Sequence, residues 1–198
     1  MNKRKKLAII STALIVVLVL LDQLLKIWVV RNMELYQTIP LIGEWFNFHY
    51  ILNEGMAFGL SWGANAGKLV LSLVRIGVVG FLIYYIAKKI KQDKLDMLAT
   101  CVLSLIVAGA LGNIIDSAVY GLLFQGKPFM FGSVVDMIYV KLFLIPDWFP
   151  GFGGNYFFPA IFNFADSCVT VGIICMLCFY KHFFKEEESK KEDEAPAK

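Results

Sequence analysis

The sequence predicts an all-α membrane protein with four transmembrane helices, and three observations lead to that fold class. Hydrophobic residues make up 58% of the 198 residues and charged residues 18%, against about 45–50% and about 25% in soluble domains. Four apolar stretches are each long enough to cross a bilayer core of about 30 Å as a helix. Lysine and arginine are also distributed unevenly among the segments that flank these stretches.

The four apolar stretches are predicted to be the spans. The first is interrupted by Asp22, Gln23 and Lys26, the second by Arg75 and the fourth by Asp166, whereas the third carries no charge. Each is 19 to 24 residues long, and about 20 helical residues suffice to cross. The spans are Leu7–Val30, Leu69–Ala87, Met97–Ile115 and Phe157–Tyr180.

The positive charges predict the orientation of these spans. Thirteen lysines and arginines lie in 1–6, 88–94 and 181–198, whereas segments 31–66 and 118–156 together hold three. Positive residues favour the cytoplasmic side, so we expect both termini there and the two long segments outside. Residues 1–180 are interpreted as a single membrane domain, and the mixed-charge tail, 181–198, as disordered.

Composition also limits the partners. A formal net charge of +3 is too small to predict nucleic-acid binding. The two histidines, His49 and His182, are too few and too far apart for a metal site, and no glycine-rich phosphate loop is present in the sequence. We therefore expect no cofactor, no metal and no nucleic acid.

Polar residues inside the spans form a layer near the expected outer surface. A charge at the centre of a spanning helix costs about 2.5–3.5 kcal/mol, so each needs a partner or a function. Asn113 and Asp116 are three residues apart, as are Asn163 and Asp166, and that spacing places both members on one helix face. If Pro159 is the first helical residue, Asp166 lies roughly 10 Å deep at 1.5 Å per residue.

The remaining charged residues suggest the chemistry. Asp22 and Lys26 can neutralise each other, and Asp136 lies in an apolar run of segment 118–156. Two nearby carboxylates do not both ionise easily, so one keeps a proton while the other accepts one from water, as in aspartic peptidases. The alternatives are a small proton-coupled transporter or channel component, and a scaffold in which these groups are only structural.

Five sequence blocks, in order, resemble those of the lipoprotein signal peptidases (signal peptidase II). They are DQLLK at 22–26, NEGMAFG at 53–59, GALGNIID at 109–116, VVD at 134–136 and FNFAD at 162–166. The resemblance implies an inner-membrane endopeptidase that cuts diacylglyceryl-modified prolipoproteins before the lipidated cysteine and is blocked by globomycin. It also implies a small extracytoplasmic β-platform after the first helix and an active site towards the outer leaflet.

The same resemblance implies roles for individual residues. Asp136 and Asp166 match the family's catalytic aspartates, and Asp116 matches a supporting residue. The other supporting or substrate-binding residues are Asp22, Lys26, Asn53, Gly55, Asn113, Asn163 and Ala165. The implied partners are prolipoprotein substrates and membrane lipid, and we expect a monomer because the site lies within one chain.

Two departures from the family pattern lead to further expectations. Ser117 stands where the family usually has arginine after the G-N-x-x-D block. We hypothesise that Arg75, at a similar depth, supplies the missing positive charge. The stretch Leu142–Gly154 looks like an insertion, and we expect it to form an outer loop near the substrate entrance.

Overall fold

The computed structural model describes residues 2–54, 64–151, 153–180 and 183. Gly55 and the predicted tail, 181–198, apart from Phe183, therefore lie outside the described residues. The helices are α1 (Lys3–Asn32), α2 (Ala64–Lys91), α3 (Met97–Ile115), α4 (Gly121–Phe124) and α5 (Phe164–Cys178), with a π-helical turn at Asp116–Tyr120 between α3 and α4. The strands are β1 (Thr38–Ile42), β2 (Phe46–Asn53), β3 (Val134–Val140) and β4 (Ile161–Phe162).

Three helices in the described part of the chain are long and apolar enough to cross a membrane. They are α1, α2 from Leu69 onwards, and α3 continued through α4. Helix α3 has the bounds that its apolar run predicts, because the Asp96 side chain caps its first turn and accepts a hydrogen bond from Ala99 N at 2.9 Å. Helices α1 and α2 extend beyond their apolar runs into polar ends.

The fourth apolar helix begins later than its sequence predicts, and this start corrects the expected one. Helix α5 starts at Phe164 rather than near Phe157 or Pro159, and it has 15 residues. A capping box sets the start: the Asn163 side chain accepts from Asp166 N, and the Asp166 side chain accepts from Asn163 N. Asp166 therefore lies in the first turn of the helix and not two turns inside it.

A four-stranded antiparallel sheet covers one end of the helices, in the order β1-β2-β3-β4. Strand β3 coincides with the run Val134–Val140 that is rich in strand-forming residues. In the β2–β3 pair, Ile51 lies opposite Asp136 and Asn53 opposite Val134. Asn53 and Asp136 are therefore diagonal neighbours on one face of the sheet.

Helix α3 is the centre of the bundle and packs against α1, α2 and α5. An apolar cluster that includes Val29, Val135 and Met137 joins the end of α1 to the sheet, and we call this the sheet end of the bundle. A second cluster, which includes Leu7 and Leu103, fills the other end, which we call the opposite end. Helices α3 and α5 approach closely at Gly109, where an added Cβ would meet the Ala165 carbonyl oxygen.

The insertion expected at Leu142–Gly154 belongs to a hairpin between β3 and β4. Leu144 pairs with Tyr156, and Phe157 N donates to the Phe143 carbonyl at 2.9 Å. The rings of these two phenylalanines stack at a centroid distance of 4.9 Å. Trp148, near the tip of the hairpin, is 79% exposed.

Candidate active site

A cluster of acidic and amide side chains is buried where α1, α3, β3 and α5 meet at the sheet end. Helix α1 contributes Asp22 and Lys26 to this cluster, which are 1% and 0% exposed. The other members are Asn113 and Asp116 at the end of α3, Asp136 in the middle of β3, and Asn163 and Asp166 at the start of α5. All of these except Asp166, which is half-buried, are almost inaccessible to solvent.

Lys26 is the hub of the cluster. Its ammonium nitrogen lies 2.9 Å from Asp22 Oδ2, 2.9 Å from Asp116 Oδ2 and 3.1 Å from Asn113 Oδ1. These three contacts satisfy all three donors of the ammonium group. A buried cation is tolerated only when it is fully paired, so the position of Lys26 depends on all three partners.

The contact with Lys26 also fixes the orientation of the Asn113 amide. Because Asn113 Oδ1 accepts from Lys26, Asn113 Nδ2 points to Asp166, and it donates to Asp166 Oδ1 at 2.7 Å. Asn163 Nδ2 donates to Asn113 Oδ1 at 3.1 Å and to Asp136 Oδ1 at 2.7 Å. Asn163 therefore bonds Asp136 through its side chain and Asp166 through its backbone N–H, at 3.3 Å.

Asp136 is held from two sides in an environment that favours its neutral form. Its Oδ2 accepts from Asn53 Nδ2 at 2.9 Å, while its Oδ1 accepts from Asn163. Burial in the sheet, together with the negative charge of Asp166, raises the pKa of Asp136 to about 7. A carboxyl group with such a pKa carries a proton in a large share of molecules near neutral pH.

Asp166 lies at the positive end of a helix dipole. The first turn of α5 presents backbone N–H groups and a partial positive charge, which stabilise a negative carboxylate there. In the same turn, Ala165 N donates to Asp22 Oδ1 at 2.9 Å. Asp22 thus ties the start of α5 to α1, and this contact accounts for the position of Ala165 in the cluster.

Asp116 positions the strand that carries Asp136. Its Oδ2 accepts from Val135 N at 3.0 Å, and the same oxygen contacts Lys26. Val135 directly precedes Asp136 in β3. Lys26 is therefore linked to the strand of Asp136 through Asp116. It is linked to Asp166 through Asn113.

Arg75 and Ser117 line the same cavity beside Asn53. This cavity holds about 10 Å³, which is close to the smallest space that accommodates one water molecule. Arg75 is half-buried in α2, and its charge interacts with those of Asp116, Asp136 and Asp166. Arg75 therefore lies beside the same cavity as Ser117, within electrostatic range of three carboxylates.

Four further residues surround the acidic cluster and its cavity, and the sequence did not identify them as site residues. Gln23 Nε2 contacts Asp22 Oδ2 at 3.0 Å and Asp116 Oδ1 at 3.2 Å. Lys127 Nζ donates to Glu54 at 2.8 Å and to the buried Ser133 Oγ at 2.7 Å. Gln23 was recognised as a polar interruption of the first span but not assigned to the site, whereas no local pattern joins positions 54, 127 and 133.

The metal-ligating side chains in the described part of the chain do not form a metal site. Among residues 2–54, 64–151, 153–180 and 183, no group of three or more histidine, cysteine, aspartate or glutamate side chains is arranged to hold a metal ion. The acidic groups bind amides, backbone N–H groups and Lys26 instead. The cluster therefore contains two carboxyl groups, those of Asp136 and Asp166, which are both bonded to Asn163. The two groups have different surroundings.

Comparisons with known proteins agree in pointing to one family. The family described as signal peptidase (SPase) II matches residues 14–182. A lipoprotein signal peptidase of Porphyromonas gingivalis is 41% identical over 190 residues, which cover 86% of this chain and 82% of the relative. A lipoprotein signal peptidase of Bacillus subtilis is 36% identical over 172 residues, which cover 86% and 91%.

Two solved structures of bacterial membrane enzymes, obtained by the in meso method, share the architecture. Both have a TM-score of 0.61, at 25% and 27% sequence identity. They cover 95% and 85% of this chain and 94% and 90% of their own lengths. With the family match over most of the sequence, these similarities lead to one conclusion: the chain belongs to the signal peptidase II family.

Proposed function

We propose that this chain removes the signal peptide from diacylglyceryl-modified prolipoproteins and cuts just before the lipidated cysteine. Membership of the signal peptidase II family makes the chain a peptidase of the bacterial inner membrane with several apolar helices. The single observation that carries the proposal is Asn163, which bonds both Asp136 and Asp166. Nothing in the comparisons supports the transporter alternative.

In the proposed mechanism the two aspartates have different tasks. Asp166, ionised at the start of α5, takes a proton from a water molecule whose oxygen attacks the scissile carbonyl carbon. Asp136 gives its proton to the carbonyl oxygen, which forms a tetrahedral diol. When the C–N bond breaks, the proton on Asp166 passes to the leaving amine and Asp136 recovers a proton from the diol, so both groups return to their starting states.

The other residues of the cluster act as positioning residues in this proposal. Asn53, Asn113 and Asn163 donate to the two aspartates and fix the direction of their oxygens. Asp22, Lys26 and Asp116 hold α1, α3, β3 and the Ala165 turn together around them. A role for Gly55 in substrate binding stays a prediction, because it lies outside the described residues.

We propose four spans, with both termini in the cytoplasm and the sheet outside. The uneven distribution of lysine and arginine supports this orientation. Helix α5 has 15 residues and is roughly 22 Å long at 1.5 Å per residue, which is shorter than the bilayer core of about 30 Å. Its first turn, with Asp166, would then lie below the membrane surface. A lipid-anchored cysteine that enters sideways from the outer leaflet would reach Asp166 at that depth. We propose that the enzyme works as a monomer.

Arg75 is proposed to supply the positive charge that Ser117 does not provide. The shared cavity and the charges that Arg75 faces support this role. We expect Arg75→Ala to lower cleavage about tenfold and Arg75→Lys to restore part of it, since lysine keeps the charge but not the planar geometry. Full cleavage by Arg75→Ala would contradict the assignment.

The test of the function uses the purified full chain and a diacylglyceryl-modified prolipoprotein, with cleavage read as a mobility shift. Wild type should cleave, whereas Asp136→Asn and Asp166→Asn should lose at least about 1,000-fold in rate, because each removes one proton carrier. Asp93→Asn, in the exposed turn after α2 at the opposite end of the bundle, is the matched control and should cleave normally. Circular dichroism and gel filtration check that both inactive variants fold. Full cleavage by either would exclude the pair as catalytic.

A further inference from the structure

A groove between α1 and α2 at the opposite end of the bundle has no part in the candidate site. It encloses about 280 Å³ and is lined by Ala8, Thr12, Val16, Ile83, Ala87 and Ile90, among others. Helices α1 and α2 each pack mainly against α3 rather than against each other, which leaves the groove open between them. The Ser11 hydroxyl on its wall is already bonded to Ser104, at 2.7 Å.

Mostly apolar walls and a membrane location together indicate what fills this groove. Water does not stably occupy a cavity whose walls lack hydrogen-bonding partners. A groove that opens to the hydrocarbon core is filled by what that solvent contains, namely acyl chains. The lined part of α1, residues 8–16, is roughly 12 Å long at 1.5 Å per residue, so it can align a substantial part of one chain.

The mouth of the groove is positively charged. Arg4 and Lys5 lie one turn before Ala8 in α1, and Lys91 lies one turn after Ala87 in α2. Residues one turn apart share a helix face, so these cations continue the two faces that line the groove. Arg4 Nε donates to Asp93 Oδ2 at 2.7 Å, and this pair joins the start of α1 to the turn after α2. Because Asp93 neutralises Arg4, the exposed Lys5 and Lys91 give the mouth a net positive charge within the part of the chain that the structure describes.

We propose that this groove binds an anionic glycerophospholipid, with one acyl chain between α1 and α2 and the phosphate against Lys5 and Lys91. A zwitterionic phospholipid fits the apolar part equally well but carries a positive headgroup to the same cations, so the site selects for net negative charge. The bound chain fills the gap between α1 and α2 and holds α2 against the bundle. The proposal does not depend on the peptidase mechanism.

The test is native mass spectrometry of the detergent-solubilised full chain, titrated in parallel with phosphatidylglycerol and phosphatidylcholine of identical acyl chains. Wild type should bind the first phosphatidylglycerol at least about fivefold more tightly than the first phosphatidylcholine. Replacing both Lys5 and Lys91 with glutamine should bring this ratio close to one. Ala87→Phe, which fills the groove, should weaken the binding of both lipids.

Two controls, one matched in charge and one in size, distinguish lipid binding in this groove from unspecific lipid binding elsewhere on the protein. Lys88 and Lys89 lie over the rings of Tyr84 and Tyr85, at 5.4 Å from each centroid, so replacing both with glutamine should leave the ratio unchanged. Val78→Phe, at an exposed position of α2, should leave the binding of both lipids unchanged.

Equal binding of the two lipids by wild type would overturn the proposal, because the contact would then be unselective. A loss of selectivity in the Lys88/Lys89 double variant as large as in the Lys5/Lys91 variant would overturn it too, since total charge would then explain the preference. Lys5 and Lys91 are exposed, so their replacement tests the site even if Ala87→Phe does not fold.

Discussion

The two ends of the same helix bundle are held together by different forces. At the sheet end, Lys26, two asparagines and four aspartates form a hydrogen-bonded cluster in which every member except the half-buried Asp166 has almost no exposure. At the opposite end, side chains such as Leu7, Val79 and Leu103 pack without charge, and the Ser11–Ser104 hydroxyl pair is a short polar contact there. Directional bonds fix atom positions, whereas apolar packing mainly fixes how closely the helices approach.

This difference teaches where precision is required. The proposed chemistry needs two carboxyl groups in fixed orientations, and each is held by at least two donors. The opposite end has no reacting atoms to position, and it leaves a gap between α1 and α2. Substitutions at the sheet end should therefore affect both stability and cleavage, whereas those at the opposite end should affect stability alone.

Lys26→Met should have the largest effect. It leaves Asp22 and Asp116 buried without their cation, and the loss of one partner from a buried pair costs about 3–5 kcal/mol of unfolding free energy. Because Lys26 also orients Asn113 and, through Asp116, strand β3, cleavage by the folded fraction should fall at least about 100-fold. Denaturant unfolding in detergent and the cleavage assay measure the two effects. Arg31→Met, at the exposed end of α1, is the control, and equal behaviour of the two variants would refute the hub.

Leu103→Ala tests the opposite end. Leu103 is buried in the apolar cluster, and truncation of a buried leucine costs about 2–4 kcal/mol through lost contacts and a residual cavity. Cleavage per folded molecule should stay at the wild-type level, because Leu103 lies ten residues before Asn113 in α3, which is roughly 15 Å along the helix. The same unfolding and cleavage measurements apply. A fall in cleavage comparable to that of Lys26→Met would show that the two ends are not independent.

Ser11→Ala should have the smallest effect. It removes the hydroxyl that pairs with Ser104, and single hydrogen bonds between membrane helices average about 0.6 kcal/mol. Ser104 Oγ keeps its second contact, with the Thr100 carbonyl at 2.7 Å, which limits the loss. Unfolding in detergent should detect only this small change. A destabilisation above about 2 kcal/mol would mean that polar contacts also dominate at the opposite end.

Periodicity and hydropathy predicted the parts of the molecule that depend on local composition. The bounds of α3 follow from its apolar run, and strand β3 follows from its β-branched residues. The spacing of Asn113 from Asp116 predicted a shared polar face, and in the structure both side chains contact Lys26. Asn113 also bonds Asn163 and Asp166. Residues three apart lie on the same face of any helix, so this prediction requires no knowledge of the tertiary structure.

The start of α5 could not be predicted in this way. Residues 157–162 are as apolar as the helix that follows, and hydropathy carries no information on the capping box of Asn163 and Asp166 that ends this extended segment. Of the three partners of Lys26, Asp22 was predicted from its four-residue spacing. The other two were also out of reach, because Asn113 and Asp116 lie 87 and 90 positions further along the chain. Such contacts depend on which helices become neighbours, and local spacing does not determine that.

The most direct test of the central claim is the pH dependence of kcat/KM for cleavage of a diacylglyceryl-modified prolipoprotein. Asp136 must hold a proton to deliver it to the carbonyl oxygen, and burial beside Asp166 raises its pKa to about 7. As pH rises through that value, the protonated fraction falls, so kcat/KM should decline about tenfold per unit between pH 8 and 9. A rate that stays constant up to pH 9 would contradict the account, because no protonated carboxyl group would then take part in the reaction.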